Sequence, residues 1–456
     1  MIGSLKNIFK IPDLRKRVFF TFLMLAVFRI GAHIPTPGID TLALEQFFRT
    51  QAGSILGLID MFSGGNLSRL TIFALGIMPY ISASIILQLL TVVWPYLEKL
   101  SKEGAVGKKK ITQYTRYGTV ALSIVQGLGI AFWIEALPAG GGMIVPHPGW
   151  SFRLLTILTL TTGTAFIMWL GEQISERGIG NGISLIIFAG IIVGLPGAII
   201  NTISDLQTGT LSLIAVLLLI AFMVGTVGVI VYVERAQRRI PVQYARRVVG
   251  RKVYGGMSTH LPLRVNTSGV IPVIFASSIL AIPQTVTSLP FFRDIDFIQG
   301  MIRQLDYNMP LYNLVYFVSI IFFCYFYTSI IFNPVDTADN MKKYGGFIPG
   351  IRPGRRTAEY IDRILTKLTF AGAVYLAMIA LIPTLLISGI NVQGIPGIGP
   401  FLDGLLPAAV TQGMGVTFFF GGTSLLIVVG VGMDTVQQVE SQLIMRHYDG
   451  FLKSSR

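Results

Sequence analysis

Charge is scarce in this sequence. Only 13% of its 456 residues are Asp, Glu, Lys or Arg, where a soluble protein carries about 25%. Histidine is scarcer still. His33, His147, His260 and His447 lie far apart with no His-x-x-x-His spacing, and they read as scattered surface or packing residues rather than metal ligands. The single cysteine, Cys324, sits in an apolar run and can form neither an intrachain disulfide nor a Cys/His metal set. No Walker loop, H-E-x-x-H or G-x-S-x-G string occurs, so no enzyme, cofactor or metal is expected. The glycine-rich GIGNG at 178–182 follows no strand. It reads as a helix break on the cytoplasmic side rather than a nucleotide fingerprint.

What is present is apolar. Hydrophobic residues make up 52% and mean hydropathy is +0.67. These figures exclude a disordered chain and a disulfide-rich secreted domain. They also argue against a nucleic-acid-binding globule despite the net charge of +14. Crossing about 30 Å of hydrocarbon takes about 20 apolar residues, and an isolated segment must cross as a helix. Ten such runs are expected, at 18–34, 70–93, 114–137, 152–173, 182–201, 211–233, 268–289, 311–333, 366–388 and 408–433. The first follows a basic stretch, as a signal peptide would. It contains Arg29, however, and leads into GAHIPTPGID with no small-x-small cleavage site, so it reads as a retained span.

Of the 36 Lys and Arg, 30 fall on the side of the termini and even-numbered connections and 4 on the other. Both termini are therefore expected in the cytoplasm. The fold class is an all-α polytopic membrane protein of ten transmembrane helices. It divides at the short loop 202–210 into an N-terminal half, 1–205, and a C-terminal half, 206–456. Five spans per half forces opposite orientations, so the halves are expected as pseudo-symmetric inverted repeats.

The spans hold almost no ionisable groups. Glu135, Glu172 and Glu234 lie at helix ends, and Arg29 is the one basic residue well inside a span. Snorkelling, a carbonyl contact and a functional role are all open to Arg29. A proton- or sodium-coupled transporter needs mid-membrane ligands and is disfavoured.

The segment 55–90 reads ILGLIDMFSGGNLSRLTIFALGIMPYISASIILQLL. A short amphipathic piece, 55–62, stops at Ser63-Gly64-Gly65, after which Asn66 or Ser68 can cap a new helix. Either it is a re-entrant plug or pore element, or it is an amphipathic helix on the outer surface. The pairs Ile77/Ile81 and Ile183/Ile187 each share a helix face, which serves ordinary packing as well as it serves a pore lining. The cytoplasmic loops 234–267 and 334–367 are strongly basic. The first carries Arg235, Arg238, Arg239, Arg246, Arg247, Arg251 and Lys252, the second Arg352, Arg355 and Arg356 between Pro and Gly turns. Topology and anionic lipid account for many of these charges. Seven within 18 positions of one loop exceed that need and point to an anionic macromolecule.

The strings MFSGGNLSRLTIFALGIMPYISASIILQLL, LGEQISERGIGNGISLIIFAGI, STHLPLRVN, FNPVDTADNMKKYGGFIPGIRPGRRTAEYI and FFGGTSLLIVVGVGMD closely resemble the bacterial SecY family, central subunits of the protein-conducting channel. The likeness runs from about Arg17 to Met433. It implies two five-span halves clasped around an hourglass pore. It implies a plug at about 55–70, centred on Ile59, Asp60, Met61, Phe62, Ser63, Gly64, Gly65 and Asn66. It implies a pore ring of Ile77, Ile81, Ile183, Ile187, Ile274 and Ile427, with Ile271 an alternative to Ile274. A lateral gate is implied between spans 2 and 3 and spans 7 and 8, with Ser82, Ser84, Gln88 and Gln126 along it. The basic loops would dock the SecA motor and the ribosome, Arg352 foremost. SecE and SecG would be membrane partners, and signal sequences and nascent polypeptides the substrates, in the bacterial cytoplasmic membrane. The rival readings are an uncoupled solute transporter with inverted repeats and a structural membrane anchor.

Overall fold

The computed structural model describes residues 11–50, 60, 63–137, 144–209, 212–244, 247–249, 252–254, 258–287, 300, 304, 309–388 and 422–454. The chain is predominantly helical. The N-terminal half holds α1 (Pro12–Gly31), α2 (Thr41–Thr50), α3 (Met78–Val93), α4 (Pro95–Lys102), α5 (Ala105–Glu135), α6 (Trp150–Arg177) and α7 (Gly182–Gln207). The C-terminal half holds α8 (Leu213–Arg235), α9 (Ile271–Thr287), α10 (Pro310–Ile331), α11 (Pro334–Lys343), α12 (Arg355–Ser388) and α13 (Gly422–Ser454). Among the described residues six helices are long and apolar enough to cross a membrane: α5, α6, α7, α8, α12, and α10 continued to Lys343. The pair α3–α4, bent by 98° at Trp94–Pro95, makes a seventh. Helices α1, α9 and α13 stand at the other three expected spans. The outer parts of expected spans 7 (beyond 287) and 10 (before 422) lie outside the described residues.

Helix boundaries follow local chemistry. Proline opens α1, α3, α4, α10 and α11, where its missing N–H is no loss. GIGNG is the expected break. Gly180 has φ +88°, and Asn181 caps α7 by accepting from the Ile183 N–H at 3.1 Å. Helix α7 runs past the expected loop 202–210 to Gln207, and Ser212 caps α8. The division drawn at 205 therefore falls in the last turn of α7, and the chain breaks just after it.

Span 2 is shorter than its hydropathy implies. The run from 70 was expected to be helical, but residues 67–77 are turns and helix begins at Met78. The cause is local. Gly76 has φ +56° and Leu70 φ +37°. The backbone there bonds to the loop after α1, with Thr36 N–H donating to Leu70 O at 2.8 Å and Ile72 N–H to Ile34 O at 2.9 Å.

The two long basic loops contain strands that hydropathy did not signal. β1 (Gln237–Tyr244) pairs antiparallel with β4 (Ser258–Arg264) and, on its other edge, with β5 (Gly346–Phe347). A hairpin of β2 (Arg247–Val249) and β3 (Lys252–Tyr254) lies between them in sequence. Ile240, Leu263, Ile348, Ile361 and Ile364 form a small core that joins the two basic loops into one unit.

One large core crosses both halves, from Phe28 and Phe73 through Ile167, Leu170 and Ile191 to Phe275, Ile320, Leu376 and Leu426. The halves touch where α3 and α5 meet α9, and where α7 meets α13. Outward, the spans remain oily. Phe19, Phe22, Leu158, Leu217, Leu218 and Leu314 are exposed, and only 17% of the apolar window of α8 is buried. A helix apolar on all sides yet barely buried is solvated by lipid.

Candidate functional site

Five of the six expected ring residues are buried in that shared core: Ile77, Ile81, Ile187, Ile274 and Ile427. Ile77 is the N-cap residue of α3 and Ile81 lies one turn on. Ile187 projects from α7, Ile274 from α9 and Ile427 from α13. Four helices from two halves thus converge on one apolar cluster. Ile183 is half-buried at its edge, its Cγ1 3.2 Å from where a Cβ on Gly171 of α6 would stand. The alternative residue, Ile271, is also half-buried and packs on the same core, less deeply than Ile274.

The faces flanking the cluster are polar in a few places. Ser278 of α9 donates to the Met78 Sδ of α3 at 3.8 Å and to Ile274 O at 2.7 Å, a sulfur contact across the front seam. Ser82 is buried, and Gln88 Nε2 donates to Ser84 Oγ at 3.1 Å. The Gln88 Oε1 is buried with no partner among the described residues. Gln126 is half-buried on α5, which also meets α9. These four expected gate residues therefore stand on the two N-half helices that meet α9. Span 8, α10, packs on α9 from the C-terminal half.

Beside the cluster sits the turn 60–68. Of the expected plug residues, Ile59, Met61 and Phe62 lie outside the described residues. Asp60, Ser63, Gly64, Gly65 and Asn66 form a compact knot. The Asp60 carboxylate accepts from the Leu67 N–H at 2.9 Å and the Ser68 N–H at 2.8 Å. Ser63 Oγ donates to Asp60 O at 2.8 Å and accepts from the Asn66 N–H at 3.2 Å. The Asn66 side chain returns a bond to Ser63 O. Asn66 and Ser68 were expected to cap a new helix. Instead Asp60 caps a series of turns, because glycines at φ +77° and +78° (Gly64 and Gly65) reverse the chain first. Gly64 packs against Gly190 of α7, where a Cβ on Gly64 would lie 2.8 Å from the Gly190 Cα. Arg29 Nη1 donates to Gly64 O at 3.4 Å, so of the roles open to Arg29 the structure shows a carbonyl contact. Neither Gly190 nor Asp60 stood out by spacing, since both contacts join segments distant in the chain or around a turn.

In the two long basic loops, Arg235, Arg238 and Arg239 are exposed on the end of α8 and on β1. Arg352, Arg355 and Arg356 are exposed around a loop with Gly350 at φ +81° and Gly354 at φ +104°. Thr357 Oγ1 donates to Arg352 O at 2.9 Å and pins that loop to the start of α12. Arg355 pairs with Glu359 at 3.1 Å, which leaves Arg352 and Arg356 as the less neutralised charges. Arg246 and Arg251 lie outside the described residues. Arg247 begins β2, with no side-chain placement described. Pairing of β1 with β5 brings the two basic loops side by side.

Apolar helices long enough to cross a membrane, packed on one shared buried cluster with a knotted turn beside it, define a polytopic helical membrane protein. No group of His, Cys, Asp and Glu that could hold a metal occurs among the described residues.

The chain belongs to the SecY family, whose family model matches residues 71–436. It is similar to the protein translocase subunit SecY of Escherichia coli strain K12, at 49% identity over 97% of this chain and 95% of that one. It is also similar to the protein translocase subunit SecY of Aquifex aeolicus strain VF5, at 45% identity over 99% and 100%. The fold matches a solved protein-conducting channel with TM-score 0.63 at 17% identity, covering 94% of this chain and 93% of that one. It also matches a SecY whose plug domain stabilises the closed state of the translocation channel and maintains a membrane seal. There the TM-score is 0.61 at 19% identity, covering 96% and 97%.

Proposed function

We propose that this chain is the channel-forming subunit of a bacterial protein translocase, passing unfolded polypeptides across the cytoplasmic membrane and laterally into it. The observation that carries the reading is the meeting of Ile77, Ile81, Ile187, Ile274 and Ile427, from four helices of both halves, in one buried apolar cluster. A pore wide enough for a peptide must not leak ions. An apolar constriction achieves this by dewetting, because water columns inside it are unstable and ions cannot follow. Isoleucine suits the role, being bulky, stiff at χ1 and without a ligand oxygen. It closes equally well around any passing chain, since hydrophobic and dispersion contacts are non-directional.

The seam of α3 and α5 against α9 is the lateral exit. There a signal sequence partitions into lipid, each central Leu or Ile contributing roughly −0.5 kcal/mol against about +3 for Arg or Asp. The segment of about 55–70, to which Asp60 and the turn 63–68 belong, is the plug. Ten apolar runs give ten spans, five per half make the halves inverted, and the charge asymmetry puts both termini in the cytoplasm. The joined basic loops dock an anionic partner, the SecA motor or the ribosome, while SecE and SecG are the membrane partners and anionic lipid neutralises the remaining charge. Free energy for movement comes from the motor or from chain synthesis.

The test is ion conductance of the idle complex in planar bilayers. Ile81→Ser combined with Ile187→Ser wets the waist and is expected to raise resting conductance about tenfold or more. Conductance equal to that of the parent complex would refute the waist.

A further inference from the structure

The turn 60–68 is held from two sides by groups that lie outside it. On one side stands Arg29, two residues before the end of α1 at Gly31. Its neighbour Phe28 is buried and stacks on Phe73 with ring centroids 5.7 Å apart. A Cβ on Gly31 would strike the same ring. These contacts pin the register of α1 against the segment that follows the turn, and the Arg29 guanidinium then reaches the Gly64 carbonyl at 3.4 Å. On the other side is Gly190 of α7, one turn beyond Ile187. There the Gly64 backbone comes so close that an added Cβ would lie 2.8 Å from the Gly190 Cα. The turn itself is stiffened by Asp60, which ties the Leu67 and Ser68 amides back to its carboxylate.

A guanidinium carries five donors, accepts nothing and stays charged. Inside a span it must find an oxygen or water, and the structure supplies one plug carbonyl. A carbonyl receiving a bond from a charged donor is held more firmly than one bonded to a neutral group. When the turn leaves its seat, Arg29 loses that acceptor and Gly190 loses its backbone neighbour together.

We propose that Arg29 is a positioning residue for the plug. Its bond to Gly64, set against the Gly64–Gly190 contact, latches the turn beside the waist, and opening requires that bond to be exchanged for water or for substrate. The proposal rests on reading residues 60–68 as the plug.

The test uses the purified translocase complex in planar bilayers and, in parallel, hydrogen–deuterium exchange over residues 63–70. Arg29→Met keeps an apolar stem and removes the donors. It is expected to raise the unlatched population about tenfold, read as higher idle conductance and faster exchange of the Leu67 and Ser68 amides. Arg29→Lys retains one cationic donor and falls between the two. Gly190→Ala pushes the turn from the opposite side and moves both readouts the same way. Parental conductance and exchange in Arg29→Met overturn the latch. If that variant does not accumulate, parental values in both Arg29→Lys and Gly190→Ala overturn it equally. Raised conductance in the Ile81→Ser, Ile187→Ser complex beside silent Arg29 variants defeats the latch and spares the channel. Silence of all of them defeats the channel reading and the latch with it.

Discussion

Ile77 and Ile81 show how little a single residue announces. Four-residue spacing put them on one face, as it does in many packed helices, and only the arrival of Ile187, Ile274 and Ile427 from other helices makes that face part of one shared cluster, the proposed waist. Ile183 shares the spacing with Ile187 yet is only half-buried at the cluster's edge, near Gly171 of α6, a difference in burial that periodicity does not carry. Charge is more legible, because an exposed cation acts at a distance. Arg352 stands on a loop pinned by the Thr357 hydroxyl, with no acid paired to it among the ion pairs of the described residues. Arg352→Glu is expected to lower motor-driven transport about tenfold or more, about 1.4 kcal/mol in the contact, and to weaken its salt dependence. Translocation of a secretory precursor into proteoliposomes checks this, with unchanged circular dichroism showing that the helices remain.

At the scale of elements, helix ends were readable where a cap or a break is local. Asn181 after GIG and Pro95 after Trp94 both fall where the chain turns. The first turns of span 2 were not readable. Residues 70–77 are as apolar as any helix, and what unwinds them is bonding to Ile34 and Thr36 in another segment. The strands β1 and β5 were missed for the same reason, since two residues, Gly346 and Phe347, make no strand until Tyr244 and Gln243 offer an edge. The described part of the proposed plug is tied largely to itself, through Asp60, Ser63 and Asn66, so its removal is expected to leave the scaffold standing. Deleting residues 57–67 is expected to give an inserted, stable complex with higher idle conductance. A loss of insertion, seen by protease protection in membranes, would instead make this segment part of the scaffold.

Across the whole molecule, the halves share one core: α3 and α5 meet α9, α7 meets α13, and Leu14 of α1 packs with Val439 and Leu443 of α13. A lipid-facing shell this oily leaves room for further membrane chains, since lipid and a partner helix solvate Leu217 or Phe22 alike. Gentle solubilisation and affinity purification are expected to recover two small membrane subunits in fixed ratio with the chain. A monodisperse chain without either would refute SecE and SecG as its stable membrane partners.

The sequence alone determined that the chain lives in a membrane, roughly where it crosses and where its helices break. These follow from the transfer of side chains into lipid and from hydrogen bonds between near neighbours, and both are local quantities. Tertiary structure decided which isoleucines converge, that Gly64 nests on Gly190 beneath the reach of Arg29, and that two basic loops become one surface. Those are meetings of residues far apart in the chain. Their strength depends on close packing and shared backbone edges, which no window of sequence contains.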